Sequence, residues 1–173
     1  MKKLTIIFFV ILSFLAIAEE ESNKTYAKHF SVTINYSNDE SGSFKVILKN
    51  ISNENLKLML NTKSLEGGFI LKKNDKDVAK LYENEYYRKL LTGRWFSGIC
   101  ELKPNQTKEW KVDLKNLSYH VRADSKITRK DLEGMSISFH FDRFSVFPEP
   151  RGKQIPIDIL SNTITTKMQN KSQ

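Results

Sequence analysis

Apolar and polar residues alternate with period two in segment after segment of this chain. Phe30, Val32, Ile34 and Tyr36 are interleaved with Ser31, Thr33 and Asn35, and the rhythm returns at Phe44/Val46/Leu48, Trp110/Val112/Leu114, Ile137/Phe139/Phe141 and Ile155/Ile157/Ile159. On an extended backbone successive side chains point to opposite faces, so each segment is a strand with one face to bury. A sheet with one apolar face has to pack that face on another layer, and no run of helical period long enough to supply a helical layer is present. No strand–helix–strand rhythm appears either, which argues against a parallel sheet.

Turn chemistry separates the segments. Asn38 to Gly42 links the first two strands, and Asn50-Ile51-Ser52-Asn53-Glu54-Asn55 breaks the pattern before the short apolar segment Leu56 to Leu60. Asn74-Asp75-Lys76-Asp77 suits a hairpin between Phe69–Leu71 and Val78–Leu81, with Gly67-Gly68 marking a loop or bulge just before it. Pro104-Asn105 sets a turn ahead of the Trp110 strand, and Phe144 to Pro150 reads as a loop bounded by Pro. Thr128 to Gly134 suits a single helical turn, with Thr128 as N-cap, Asp131 at the positive helix start and Gly134 as a left-handed stop. Tyr82 to Gly98 fits a long connection or an irregular edge strand. The expectation is an all-β fold, an immunoglobulin-like antiparallel β-sandwich of seven or eight strands with at most one short helical turn.

Lys2 and Lys3 precede an apolar run, Leu4 to Leu15, broken only by Thr5 and Ser13, and Ala16-Ile17-Ala18 places small residues where a signal peptidase reads. The run falls short of the roughly 20 residues of a membrane span. Residues 1–18 thus read as a signal peptide, residues 19–28 as a flexible leader, residues 29–166 as the sandwich and residues 167–173 as a disordered tail. The expected product is exported, periplasmic or extracellular, with no stable membrane span after cleavage. The formal charge of the whole chain is +8, and +6 once Lys2 and Lys3 are gone. The excess is scattered and nearly all Lys, so it reads as a solvated surface and not as a nucleic-acid footprint. Cys100 is the one cysteine, which rules out an intrachain disulfide. Its setting between Ile99 and Leu102 favours a buried thiol over one that pairs between chains.

The strand Phe44-Lys45-Val46-Ile47-Leu48 running into Asn50-Ile51-Ser52, the hairpin Phe69 to Val78, and Leu102-x-Pro104 followed by Trp110-x-Val112-x-Leu114 occur in an order that resembles exported bacterial immunoglobulin-like domains of the BsuPI proteinase-inhibitor type. The resemblance spans Phe44 to Leu114, under half the chain. Asn105 stands where that pattern has Gly, and Asn tolerates the left-handed backbone such a turn needs. The resemblance implies the fold, and as a secondary expectation a proteinase inhibitor presenting a sheet-end loop.

Catalytic signatures are sparse. His140 and Asp142 share a strand face and could supply two metal ligands, with His120 or His29 as a third, but the spacing falls far short of a metal motif. The better reading of that pair is a polar strand face, and a small metal-dependent hydrolase is a distant alternative. No serine sits in Gly-x-Ser-x-Gly, no glycine loop could cradle phosphate, and no cofactor motif is read. The Asn-x-Ser/Thr triplets at Asn23, Asn50, Asn105, Asn116 and Asn170 read as incidental in an Asn-rich chain. The stretch carrying Tyr86, Tyr87, Arg88, Arg94, Trp95 and Phe96 combines the residue types that dominate binding hot spots. Packing of Trp95 and Phe96 against the open end of the core is the competing account. Function therefore reads as a non-catalytic binding module for an envelope or extracellular protein, or for a carbohydrate, with those six residues as the partner-binding set.

Overall fold

The computed structural model describes residues 26–37, 42–60, 65–92, 98–119, 127–141, 144–147 and 155–166. The alternating segments form antiparallel strands. β1 (Phe30–Ser37), β2 (Ser43–Asn50) and β7 (Thr107–Asp113) make a three-stranded sheet in the order β1-β2-β7. β3 (Leu56–Leu60), β6 (Gly98–Leu102), β10 (Phe144–Phe147) and β11 (Ile155–Ile157) make a second, ordered β11-β10-β3-β6. The third contains β4 (Gly67–Lys73), β5 (Lys76–Glu83), β8 (Leu117–Tyr119), β9 (Ser136–Phe141) and β12 (Ile164–Thr165), ordered β12-β9-β4-β5-β8. Among the described residues the strands number twelve, more than the sequence pattern predicts. The surplus is β6, β8, β10 and β12, which the period-two pattern does not mark. β3 and β4 follow one another in the chain and pair with β10 and β9, so the same two stretches build the centres of both larger sheets.

The apolar faces meet as two layers. Phe30, Val32, Ile34, Phe44, Val46, Leu48, Trp110 and Val112 supply one side of the core, and Phe69, Leu71, Leu81, Ile137, Phe139 and Phe141 the other. Aromatic rings form the seam: Phe44 on β2 lies 4.5 Å from Phe69 on β4, Phe69 stands edge-on to Phe139 at 5.0 Å, and Trp110 stands edge-on to Phe141 at 5.9 Å. Such pairs add about 0.5–1.5 kcal/mol each to the area they bury. The all-β antiparallel sandwich expected from the period-two pattern is what the chain forms.

One side of the sandwich is stitched by residues 159–162. Phe141 N–H donates to Ile159 O and Ser161 N–H to Phe139 O on one layer, while Asn162 N–H donates to Val32 O on the other. The Asn162 side chain completes the seam, its Oδ1 accepting Ile34 N–H at 2.7 Å and its Nδ2 donating to Ile34 O at 3.4 Å. A side-chain amide thus takes the place of a missing strand along β1.

At one end of the sandwich Asn50 ties two loops together from a fully buried position. Its Nδ2 donates to Glu54 O and Leu102 O, both at 2.8 Å, and its Oδ1 accepts Ser52 N–H at 2.9 Å and Ser52 Oγ–H at 2.7 Å. Its backbone joins in, receiving Asn105 N–H and donating to Gln106 O. Asn105 has φ 63°, the left-handed turn predicted for it. The β4–β5 hairpin also closes as its sequence predicts, with Asn74 and Asp75 at φ 51° and 62° forming a two-residue turn of the type that matches strand twist.

The helical turn at Thr128 forms as well. It is the short helix Arg129–Leu132, and Asp131 Oδ2 accepts both Thr128 N–H and Thr128 Oγ–H at 2.7 Å. Gly134 stops it at φ 69°. Four features depart from the sequence expectation. Phe144–Phe147, read as the start of a loop, forms strand β10 between β3 and β11. Gly67 and Gly68 open strand β4 instead of a loop. The stretch after Tyr82 contains a nine-residue helix, Asn84–Thr92, where a connection or edge strand is predicted. Tyr26 and Ala27, placed in the leader, pack against the core, so folded structure starts before residue 29. The signal-peptide reading, most of the leader and the tail fall outside the described residues. No helix among the described residues is long and apolar enough to cross a membrane.

Candidate functional site

The outer face of the β12-β9-β4-β5-β8 sheet carries a polar and aromatic grouping. Strand register aligns four residues across it: His140 on β9 opposite Gly68 on β4, Gly68 opposite Tyr82 on β5, and Tyr82 opposite Ser118 on β8. Gly68 leaves room there for its neighbours' side chains. A Cβ at this position would lie 2.5 Å from Lys80 Cε and 2.9 Å from the Tyr82 ring. The space a side chain would fill is taken by the Lys80 stem, which carries its Nζ to 5.1 Å from the Tyr82 ring centre, within reach of a cation–π contact.

The helix Asn84–Thr92, here α1, follows β5 directly and packs against β5 and β8, at the Tyr82–Ser118 end of this row. Asn84 Oδ1 accepts a hydrogen bond from Ser118 Oγ, fixing the start of α1 to β8. Glu83 Oε2 accepts Leu65 N–H at 2.8 Å, which ties the same corner to the residue leading into β4. The Tyr86 ring lies 5.7 Å from that of Tyr82, and the Tyr87 ring stacks on Tyr82 at 6.1 Å with an interplanar angle of 25°.

The six predicted partner-binding residues divide accordingly. Tyr86 has no exposed surface and belongs to the core, not to a partner contact. It is buried because α1 folds back over the sheet, which turns the residue four after Tyr82 inward. Tyr87 is half-buried and Arg88 exposed on the same helix. Arg94, Trp95 and Phe96 lie outside the described residues. The structure adds Gly68, Lys80, Tyr82, Asn84 and Ser118, which the sequence reading passed over. The Asn84 start with Glu85 in the first turn, and Tyr86 and Leu90 four apart, were the available helical signals.

His140 stands at the other end of the row, and its Nε2 contacts Asp158 Oδ1, a partner eighteen residues away. Asp142 and His120 lie outside the described residues, and no group of three potential metal ligands occurs among those described. The polar face of β9 is less open than its sequence suggests, because Ser138 is buried.

Cys100 is half-buried on β6 against the core. Burial pushes its thiol pKa up, partly offset by the nearby Lys108 charge, so the thiolate is disfavoured. Its alkylation by iodoacetamide at pH 8 is expected to run several-fold slower than that of free cysteine. A rate equal to the free amino acid's would show the thiol to be open to water. Asn50, which opens an Asn-x-Ser/Thr triplet, has both amide N–H groups committed inside the fold and offers no acceptor for a glycan.

Compared with protein-family models, with curated proteins and with solved structures, the chain matches none.

Proposed function

We propose that the chain is an exported, non-catalytic binding module that engages a protein or carbohydrate partner through the aromatic shoulder formed by α1 and the outer face beneath it. The observation behind this reading is the Tyr87 ring, only half-buried, stacked on Tyr82 and followed by exposed Arg88. A ring held in place on a helix that also exposes an Arg offers contact area at small entropic cost. Because Tyr82 and Tyr86 are buried beneath it, the ring is positioned before any partner arrives.

A second reading, proteinase inhibition, draws on the opposite feature of the fold. Asn50 holds the 51–55 and 103–106 loops in one arrangement, and Ile51 is among the exposed large apolar residues. A loop fixed before binding is what a tight inhibitor requires.

Capture from the envelope and culture fractions of the native host separates the two. Recovery of one dominant protein, or retention on a polysaccharide column, supports the binding module. A protease as the captured protein, slowed at near-stoichiometric dose, moves the function to the loop pair. Turnover of a substrate by the purified chain, lost in His140→Ala, would contradict both.

A further inference from the structure

β1 is a long edge strand with no defence in its own sequence. It lies at the end of the order β1-β2-β7 and, at eight residues, is the longest edge strand among the described residues. Phe30-Ser31-Val32-Thr33-Ile34-Asn35-Tyr36-Ser37 contains no charge, no Pro and no Gly, and is rich in β-branched and aromatic side chains. Such an edge is a template for strand addition, and natural sheets guard it with charge, Pro or a covering segment. The other edge of the same sheet, β7, is charged, with Lys108, Glu109, Lys111 and Asp113.

On β1 the covering element is a single residue. Asn162 Oδ1 accepts Ile34 N–H at 2.7 Å, its Nδ2 donates to Ile34 O at 3.4 Å, and its backbone N–H donates to Val32 O at 3.4 Å. Ser161 holds Asn162 in place from the other layer. Its N–H donates to Phe139 O at 2.9 Å, and its Oγ accepts Phe139 N–H at 2.7 Å while donating to Asn162 O at 2.7 Å. Ser161 is buried and Asn162 exposed. The two residues form a clip, anchored in β9, whose outer arm closes β1.

We infer that Asn162 is an autoinhibitory edge guard, which keeps β1 from pairing with β1 of a second copy of this chain. The amide offers one acceptor and one donor to the N–H and C=O of Ile34, the groups an added strand would use. It satisfies them without presenting a new edge, so the sheet ends there. In a solution of one protein the competing strand is another β1, which brings the same uncharged, alternating sequence.

Sedimentation velocity on the protein expressed from its full coding sequence, taken up to about 0.5 mM, compares wild type with Asn162→Ala. The expected self-association constant of Asn162→Ala is at least about ten times the wild-type value or limit, the scale of losing the competing hydrogen bonds. Thr33→Lys added to Asn162→Ala separates edge pairing from a weakened fold. Thr33 lies on the outer face, in one row with Ile47 and Glu109, which leaves room and an opposite charge for a lysine. That lysine sets like charges in any β1–β1 seam. The double variant should return to wild-type association while keeping the melting temperature of Asn162→Ala. Asn162→Asp, which keeps an acceptor for Ile34 N–H and brings a charge to the edge, should also match wild type. Equal association of wild type and Asn162→Ala overturns the proposal. So does assembly of Asn162→Ala that Thr33→Lys leaves unchanged, because such assembly would come from unfolding.

Discussion

Gly67→Ala is expected to destabilise the protein by about 3 kcal/mol or more, near or above the upper end of usual overpacking costs. A Cβ on Gly67 would lie 2.3 Å from the backbone oxygen of His140 and 2.4 Å from Cζ of Phe139. Neither neighbour can move away freely. The carbonyl belongs to β9, paired to β4 through Gly67↔Phe141 and Gly68↔His140. The ring is fully buried and wedged edge-on between Phe69 and Phe141 at 5.0 and 4.9 Å. Relief therefore requires β4 and β9 to separate, at the seam where the two layers pack. The measurable consequence is a melting temperature about 10 °C lower, taking roughly 2–4 °C per kcal/mol for a chain of this size. Gly98→Ala serves as the control, because a Cβ there meets nothing within 4 Å. Equal melting temperatures for Gly67→Ala and wild type would show that the β4–β9 seam is looser than described.

Asn50→Ala is expected to cost about 2–4 kcal/mol, since each buried polar group left without a partner costs about 1–3 kcal/mol. Removing the amide leaves Leu102 O and Glu54 O without their donor and Ser52 N–H without its acceptor. Some of these groups lie near solvent and can recruit water, which keeps the cost below the simple total. Asn50→Asp is the sharper variant. It retains an acceptor for Ser52 but turns a carboxylate toward two carbonyl oxygens, and should destabilise at least as much at neutral pH. Urea titrations of both variants read this directly. If Asn50→Ala unfolds at the wild-type midpoint, the two loops are not held by Asn50, and the proteinase-inhibitor reading loses its main support.

The parts of the fold legible in the sequence are those set by near neighbours. Alternation along 30–36, 44–48, 110–114 and 137–141 fixed which residues face the core, because side-chain direction on a strand depends only on parity. Asn74-Asp75, Asn105 and the Thr128–Asp131 pair were equally readable, since each turn is closed by its own residues. What the sequence concealed depends on distant partners. Gly67 and Gly68 look like loop residues until β9 and Lys80 are brought against them. Asn162 resembles any loop amide, yet it bonds to Ile34, 128 positions earlier. Helix α1 was hidden because Glu83, Glu85, Arg88 and Lys89 interrupt any simple apolar stripe. The candidate site shows the same division. Tyr87 and Arg88 are singled out by residue type alone, whereas the burial of Tyr86 follows from α1 packing against β5 and β8.

The most direct test of the binding-module account is the affinity of the captured partner for wild type and for Tyr87→Ala, with Lys111→Ala on the opposite layer as control. The account predicts at least about a tenfold weakening for Tyr87→Ala, the scale of a hot-spot aromatic. It also predicts an unchanged affinity for Lys111→Ala and a folded protein in both cases. Wild-type affinity in a folded Tyr87→Ala protein would contradict it, and would place the partner surface away from the aromatic shoulder.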